Sequence, residues 1–129
     1  MARILVVDDD ELVRRTITLT LQRAGHEAAE AANGEQALAL LEKGSGPRPD
    51  LVISDLIMPE IDGIGLILAL RKKFPHIKVV AISGGARINA DDYLRMTKSL
   101  GAHATLPKPF TPDQLLAAVA AAMNAPAGA

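Results

Sequence analysis

The chain contains no cysteine and no tryptophan, and its aromatic residues amount to two Phe and one Tyr. Without cysteine there is no disulfide framework and no thiolate chemistry. That fits a reducing compartment. So few aromatic rings leave no basis for a base-stacking platform. A formal net charge of -1 excludes a broad basic footprint for nucleic acid. Long apolar runs are missing as well. The longest, LLAAVAAAM (Leu115 to Met123), is nine residues, whereas a bilayer span needs about 20. The N-terminal run RILVV is cut off by three aspartates and is too short for the apolar part of a secretory signal. These absences predict a cytoplasmic chain that engages neither nucleic acid nor membrane.

What is present is a core of small and branched aliphatic residues. A chain of 129 residues reads as one domain. It can bury roughly two-thirds of the surface its unfolded form exposes, so it needs no metal or disulfide to fold. The domain is expected over residues 1–124, with a short Ala/Pro/Gly tail over 125–129.

Apolar runs of strand length alternate with stretches of helical period. RILVV (Arg3 to Val7) reads as a strand buried on both faces. Val13, Ile17, Leu21 and Ala24 then recur every three or four residues, a helix stripe stopped by Gly25. HEAAEA is a weak second strand. Asn33 and Gln36 form a capping-box pattern for a helix from Gly34 to about Lys43. DLVIS is the third strand, and Asp62 and Gly63 open a helix to Phe74. KVVAIS is the fourth strand, followed by a helix from about Asn89 to Leu100 that Gly101 stops. HATLP is a short fifth strand. TPDQ (Thr111 to Gln114) combines an N-cap, a proline at the first helical position and a capping-box glutamine. Five βα units in series predict a doubly wound α/β fold with a five-stranded parallel sheet. Ligands of such sheets bind at the carboxyl ends of the strands.

The residues at those ends carry the chemistry. Strand one ends in Asp8, Asp9 and Asp10, strand three in Asp55, strand four in Ser83, and strand five near Lys108 and Pro109. Two carboxylates about 4 Å apart repel by roughly 4 kcal/mol at an effective dielectric near 20. The rim therefore calls for cations. Lys108 supplies one charge, and a divalent ion would supply the rest. With oxygen donors alone the choice falls on a hard ion, Mg²⁺ before Zn²⁺. The same parts suit phosphoryl transfer, which asks mainly for positioning and charge neutralisation. A carboxylate can serve as the nucleophile. Asp10 and Glu11 read differently, as negative charge favouring a helix N-terminus. His26, His76 and His103 are scattered and read as surface or partly buried structural groups, and Arg71 to Lys73 as favourable charge at a helix C-terminus.

VVDDDE, LVISDLIMPEIDG, AISGG and LPKPFTPDQL, in that order, resemble the receiver domain of bacterial two-component response regulators. The resemblance covers Arg3 to about Met123. It implies a flavodoxin-like (βα)5 fold with strand order 2-1-3-4-5. It matches Asp55 to the phosphoacceptor and Asp8 and Asp9 to the acidic pair that holds Mg²⁺. Ile57 matches the position whose backbone carbonyl meets the metal, Ser83 the switch residue, and Lys108 the lysine that contacts the phosphoryl group. It also implies a cis Lys108–Pro109 peptide, and a sensor histidine kinase or histidine phosphotransfer protein as phosphodonor. The output partner is unknown. The chain ends soon after its last helix, so no DNA-binding output domain is expected. It reads as a stand-alone regulator or a receiver excised from a larger protein, catalysing only its own phosphorylation and dephosphorylation. Many receivers carry Tyr or Phe where this chain has Thr105, so the aromatic half of the family's coupled movement is lacking. Ile57 and Gly85 flank the site, and neither side chain can place an attacking water, which implies slow autodephosphorylation.

Three other functions fit less well. An interaction module working unphosphorylated would not need Asp8, Asp9, Asp55, Ser83 and Lys108 together. A Mg²⁺-dependent phosphohydrolase with an aspartate nucleophile usually has a second acid two residues on, where this chain has Ile57. A nucleotide carrier would need a Gly/Ser/Thr-rich first loop, and DDDE would repel phosphate without metal.

Overall fold

Strand β1 (Arg3–Val7) leads into α1 (Glu11–Arg23), β2 (Glu27–Ala31), α2 (Gly34–Lys43), β3 (Leu51–Asp55), α3 (Gly63–Lys73), β4 (Lys78–Ser83), β5 (Ala104–Pro107) and α4 (Pro112–Asn124). This computed structural model describes residues 2–43, 48–55, 63–83 and 101–125. The helix expected from about Asn89 to Leu100 lies outside the described residues. So do Ile57, Asp62, Gly84, Gly85 and the end of the tail, residues 126–129.

The five strands form one parallel sheet in the order β2-β1-β3-β4-β5. That is the order the sequence resemblance implies. Side chains of a strand alternate between faces, and here both faces are buried. Ile4 and Val6 join Ile53, Val80 and Ile82 against Ile17 and Leu21 of α1 and Leu115 and Val119 of α4. Leu5 and Val7 join Val52 and Val79 against Ala37 and Leu41 of α2 and Leu66, Ile67 and Leu70 of α3. Helices therefore cover the sheet on both sides, which is why β1 and β3 read as unbroken apolar runs.

The helix ends follow local chemistry. Asp10 caps α1, its Oδ1 accepting from the backbone N–H of Leu12 at 3.0 Å and of Val13 at 3.3 Å. Those donors have no partner within the helix, and the carboxylate also favours the positive end of the dipole. Thr111 and Gln114 form the full capping box of α4. At α2 the pattern is shifted by one residue. Asn33 Oδ1 accepts from Gln36 N–H at 2.8 Å, but the Gln36 side chain accepts from Ala32 N–H at 2.9 Å rather than from Asn33. Gly25, with φ +94, ends α1, and Gly101, with φ +118, precedes β5. A Cβ at Gly101 would stand 2.6 Å from Arg71 Nε, so α3 and the approach to β5 touch there.

Candidate functional site

Sheet register brings the site together. Val7 pairs with Ser54 across β1 and β3, so the next residues, Asp8 and Asp55, emerge side by side. Asp55 in turn pairs with Ile82, and Ser83 pairs with Pro107. Ser83 thus closes β4 on the same rim, and Lys108 follows at the end of β5. This rim includes the point between β1 and β3 where the order of strands reverses direction, the expected place for a ligand.

Asp8 is 1% exposed and Asp55 7%, while Asp9 is open to solvent. Asp8, Asp9 and Asp55 each offer one carboxylate oxygen, and these three oxygens lie within 4.8 Å of one another. Lys108 Nζ donates to Asp55 Oδ2 at 2.9 Å and lies 3.5 Å from Asp8 Oδ2. The lysine is therefore aimed at the two buried acids rather than at solvent. The peptide between Lys108 and Pro109 is cis.

Charge follows geometry. Burial pushes the Asp8 carboxyl above its ordinary value, against the opposing pull of the Asp10 N–H and of Lys108, and with the Asp55 and Asp9 charges adding to the rise. Lys108 is also raised. Burial alone would lower it, but the hydrogen bond and charge of Asp55, with Asp8 behind it, outweigh burial. The acids hold the ammonium charged, and one ammonium faces more negative charge than it can neutralise. Three carboxylate oxygens with no nitrogen or sulfur donor among them suit a hard, oxygen-seeking divalent cation such as Mg²⁺. Asp8, Asp9 and Asp55 are the residues that fit it.

The sequence profile of the response regulator receiver domain matches residues 4–120. The chain belongs to this family, the receiver domain of two-component systems. As a receiver domain it is similar to solved structures along nearly its whole length. One is the chemotaxis protein CheY4 of Vibrio cholerae, 32% identical, covering 95% of this chain and 98% of that one with a TM-score of 0.82. Another is a response regulator receiver domain protein from Clostridium thermocellum, 28% identical, covering 96% and 95% with a TM-score of 0.85. Among curated proteins, the sensor kinase CckA of Brucella abortus is 39% identical over 118 residues, 92% of this chain and 12% of its own length. The probable transcriptional regulator ycf27 of Porphyridium aerugineum is 34% identical over 125 residues, 91% of this chain and 46% of its own. The chain thus spans less than half the length of these curated relatives.

Asp8, Asp9, Asp55 and Lys108 meet as the sequence predicts. Ser83 has the predicted backbone position, and Ile57 lies outside the described residues. Asp10 caps a helix, as its reading as helix-favouring charge expected. Thr105 is half-buried and borders a cleft between β5 and α4 with Leu106, Gln114 and Ala118. Among the histidines, His26 Nδ1 accepts from Ala2 N–H and His103 Nδ1 from Val79 N–H, both at 3.1 Å. They are structural groups at the start of the two edge strands. Sequence reasoning missed Arg14, whose Nη1 donates to the Asp8 carbonyl oxygen at 2.8 Å. Followed directly by Arg15, it reads as solvated helix surface. Its partner Glu30 lies on the face of β2 that Ala28 shares, half-buried against α1.

Proposed function

We propose that Asp55 is the phosphoacceptor of this receiver domain and takes a phosphoryl group from the phosphohistidine of a sensor kinase or phosphotransfer protein. A carboxylate oxygen of Asp55 attacks phosphorus. An O–P bond forms, the P–N bond to the donor imidazole breaks, and the electron pair returns to the imidazole nitrogen. The carboxylates of Asp8, Asp9 and Asp55 would hold Mg²⁺, with the Ile57 backbone carbonyl as the further ligand the family resemblance implies, and the ion would supply charge to neutralise the transferring group. Lys108, already hydrogen-bonded to Asp55 Oδ2, follows the growing negative charge onto a phosphoryl oxygen. Ser83 donates its hydroxyl to another phosphoryl oxygen. Water later attacks phosphorus, the O–P bond to Asp55 breaks with its electron pair returning to the carboxylate, and inorganic phosphate leaves. Between the two steps the altered rim changes which partner the domain binds.

The observation that carries this reading is the crowding of three carboxylate oxygens within 4.8 Å, with Lys108 hydrogen-bonded to the one that ends the buried strand β3. A carboxylate cluster of that density is costly unless cations come with it. The relatives, a sensor kinase and a probable transcriptional regulator, differ from each other. They leave the output of this domain to be defined by its own partner.

Intact mass measured after incubation with acetyl phosphate and Mg²⁺ tests the proposal. The expected result is a gain of one phosphoryl group that disappears in Asp55→Asn and without Mg²⁺. No gain in the wild type overturns it in favour of an interaction module. Continuous phosphate release from unrelated phosphoesters overturns it in favour of a hydrolase.

A further inference from the structure

The acidic loop after β1 has a cation behind it as well as one in front. Arg14 stands in the second turn of α1, and its guanidinium makes two directed bonds. Nη1 donates to the Asp8 carbonyl oxygen at 2.8 Å, and Nε donates to Glu30 Oε1 at 2.9 Å. The Arg14 and Glu30 side chains are 15% and 26% exposed, so this pair is well shielded from solvent. The Asp8 N–H donates to the Ala31 carbonyl at 3.3 Å. Both main-chain groups of Asp8 are thus tied to the end of β2, the N–H directly and the carbonyl through Arg14 and Glu30. The Asp8 carboxylate is held in turn by the Asp10 N–H at 2.9 Å.

We propose that Arg14, held by Glu30, is a positioning residue for the divalent-cation site. It acts through the Asp8 carbonyl. By fixing the peptide that joins Asp8 to Asp9, it sets the directions in which those two carboxylates face. The inference rests on the reading of Asp8, Asp9 and Asp55 as the Mg²⁺ ligands. Mg²⁺ demands near-octahedral geometry at short distances, so it tolerates little error in the ligands it is offered. A planar guanidinium can serve two acceptors in fixed directions, whereas a lysine ammonium at the end of a flexible chain cannot. Groups that orient metal ligands from behind typically change metal affinity by about 10- to 100-fold when removed.

Calorimetric titration of the 129-residue chain with Mg²⁺ tests this, at a temperature where circular dichroism shows each variant folded. Arg14→Met is expected to raise the Mg²⁺ Kd about tenfold or more. Arg14→Lys is expected to recover little of that loss, although it keeps the charge. Glu30→Gln should bind nearly as the wild type, because its amide oxygen still accepts from Nε, while Glu30→Ala should bind more weakly. A folded Arg14→Met with unchanged Kd overturns the proposal, and so does full recovery in Arg14→Lys. If Arg14→Met does not fold, equal affinities in Glu30→Ala and Glu30→Gln overturn it. The failure of the underlying reading looks different. There the wild type itself binds no Mg²⁺, and the proposal falls with it.

Discussion

Lys108 donates from the end of β5 to Asp55 at the end of β3, across 2.9 Å, with the whole width of β4 lying between their strands. Asp8, the other buried acid, is 3.5 Å from the same ammonium. The lysine is the permanent counter-charge of the rim. Lys108→Met is therefore expected to leave two buried carboxylates uncompensated and to destabilise the metal-free domain by roughly 1–3 kcal/mol. Added Mg²⁺ should restore more stability to this variant than it adds to the wild type. Asp8→Asn should move the other way in the metal-free state, because desolvation is the largest influence on the Asp8 carboxyl. Its unfolding midpoint should match or exceed that of the wild type, and Mg²⁺ should then stabilise it little. Urea unfolding with and without Mg²⁺ measures all four quantities. Equal stability of Lys108→Met and wild type without metal would refute the assignment of Lys108 as the counter-charge.

Gly101 and Gly25 both have positive φ, but their surroundings differ. A Cβ at Gly101 would meet Arg71 Nε, Cδ and Cγ at 2.6, 2.8 and 2.9 Å, whereas a Cβ at Gly25 would meet nothing within 4 Å. Gly25→Ala should cost about 1–2 kcal/mol from backbone conformation alone. Gly101→Ala should cost more, since the Arg71 side chain must also move. Thermal unfolding of the two variants ranks them, and an equal or smaller loss at Gly101 contradicts the contact.

His103 is expected to make the domain sensitive to mild acid. Its Nδ1 must be unprotonated to accept from Val79 N–H. Burial lowers its pKa below the ordinary 6.5, and the charges of Lys78 on β4 and Arg71 on α3 lower it further. A depressed pKa means the folded state favours neutral imidazole. The stability this contributes is complete above the ordinary value and is lost as pH falls through it toward the folded-state value. Midpoints recorded from neutral pH down through the mildly acidic range should fall more steeply for wild type than for His103→Gln, which keeps an acceptor without titrating. Parallel slopes would remove His103 from the account.

Ile57, two places after the proposed phosphoacceptor Asp55, is expected to govern how long the phosphoryl group survives. Ile57 offers no group that can hold a water in line with phosphorus. Ile57→Asn should shorten the lifetime of the phosphorylated domain, followed by intact mass after removal of the phosphodonor. A lifetime unchanged or lengthened by the substitution counts against this role.

The parts of the molecule that were plain in the sequence are those with one dominant physical cause. RILVV and DLVIS are apolar on both faces because the sheet is buried on both faces, and their polar ends mark where the rim begins. Thr111 to Gln114 announces α4 through backbone donors that only a cap can satisfy. β2 was faint because an edge strand of Ala and Glu takes its stability from pairing with β1 rather than from its own side chains. The bonds that Arg14 and His103 make were illegible for a different reason. Their partners, a carbonyl across a loop and an amide on a neighbouring strand, leave no trace in residue type. A glycine shortly before each edge strand, with His26 or His103 after it, is the local pattern that could have flagged the histidines.

The double-sided burial of β1 and β3 has a consequence for how such a domain can diversify. Asp8 and Asp55 are anchored by backbone that faces apolar packing above and below, while Leu12 and Leu19 of α1, Leu40 of α2 and Leu68 of α3 stand 77%, 48%, 49% and 48% exposed. The outer skin of the helices can be rewritten without disturbing the chemistry at the rim. Change on the helix surface and the geometry of the rim are thereby separate inheritances, carried by different layers of the same small molecule.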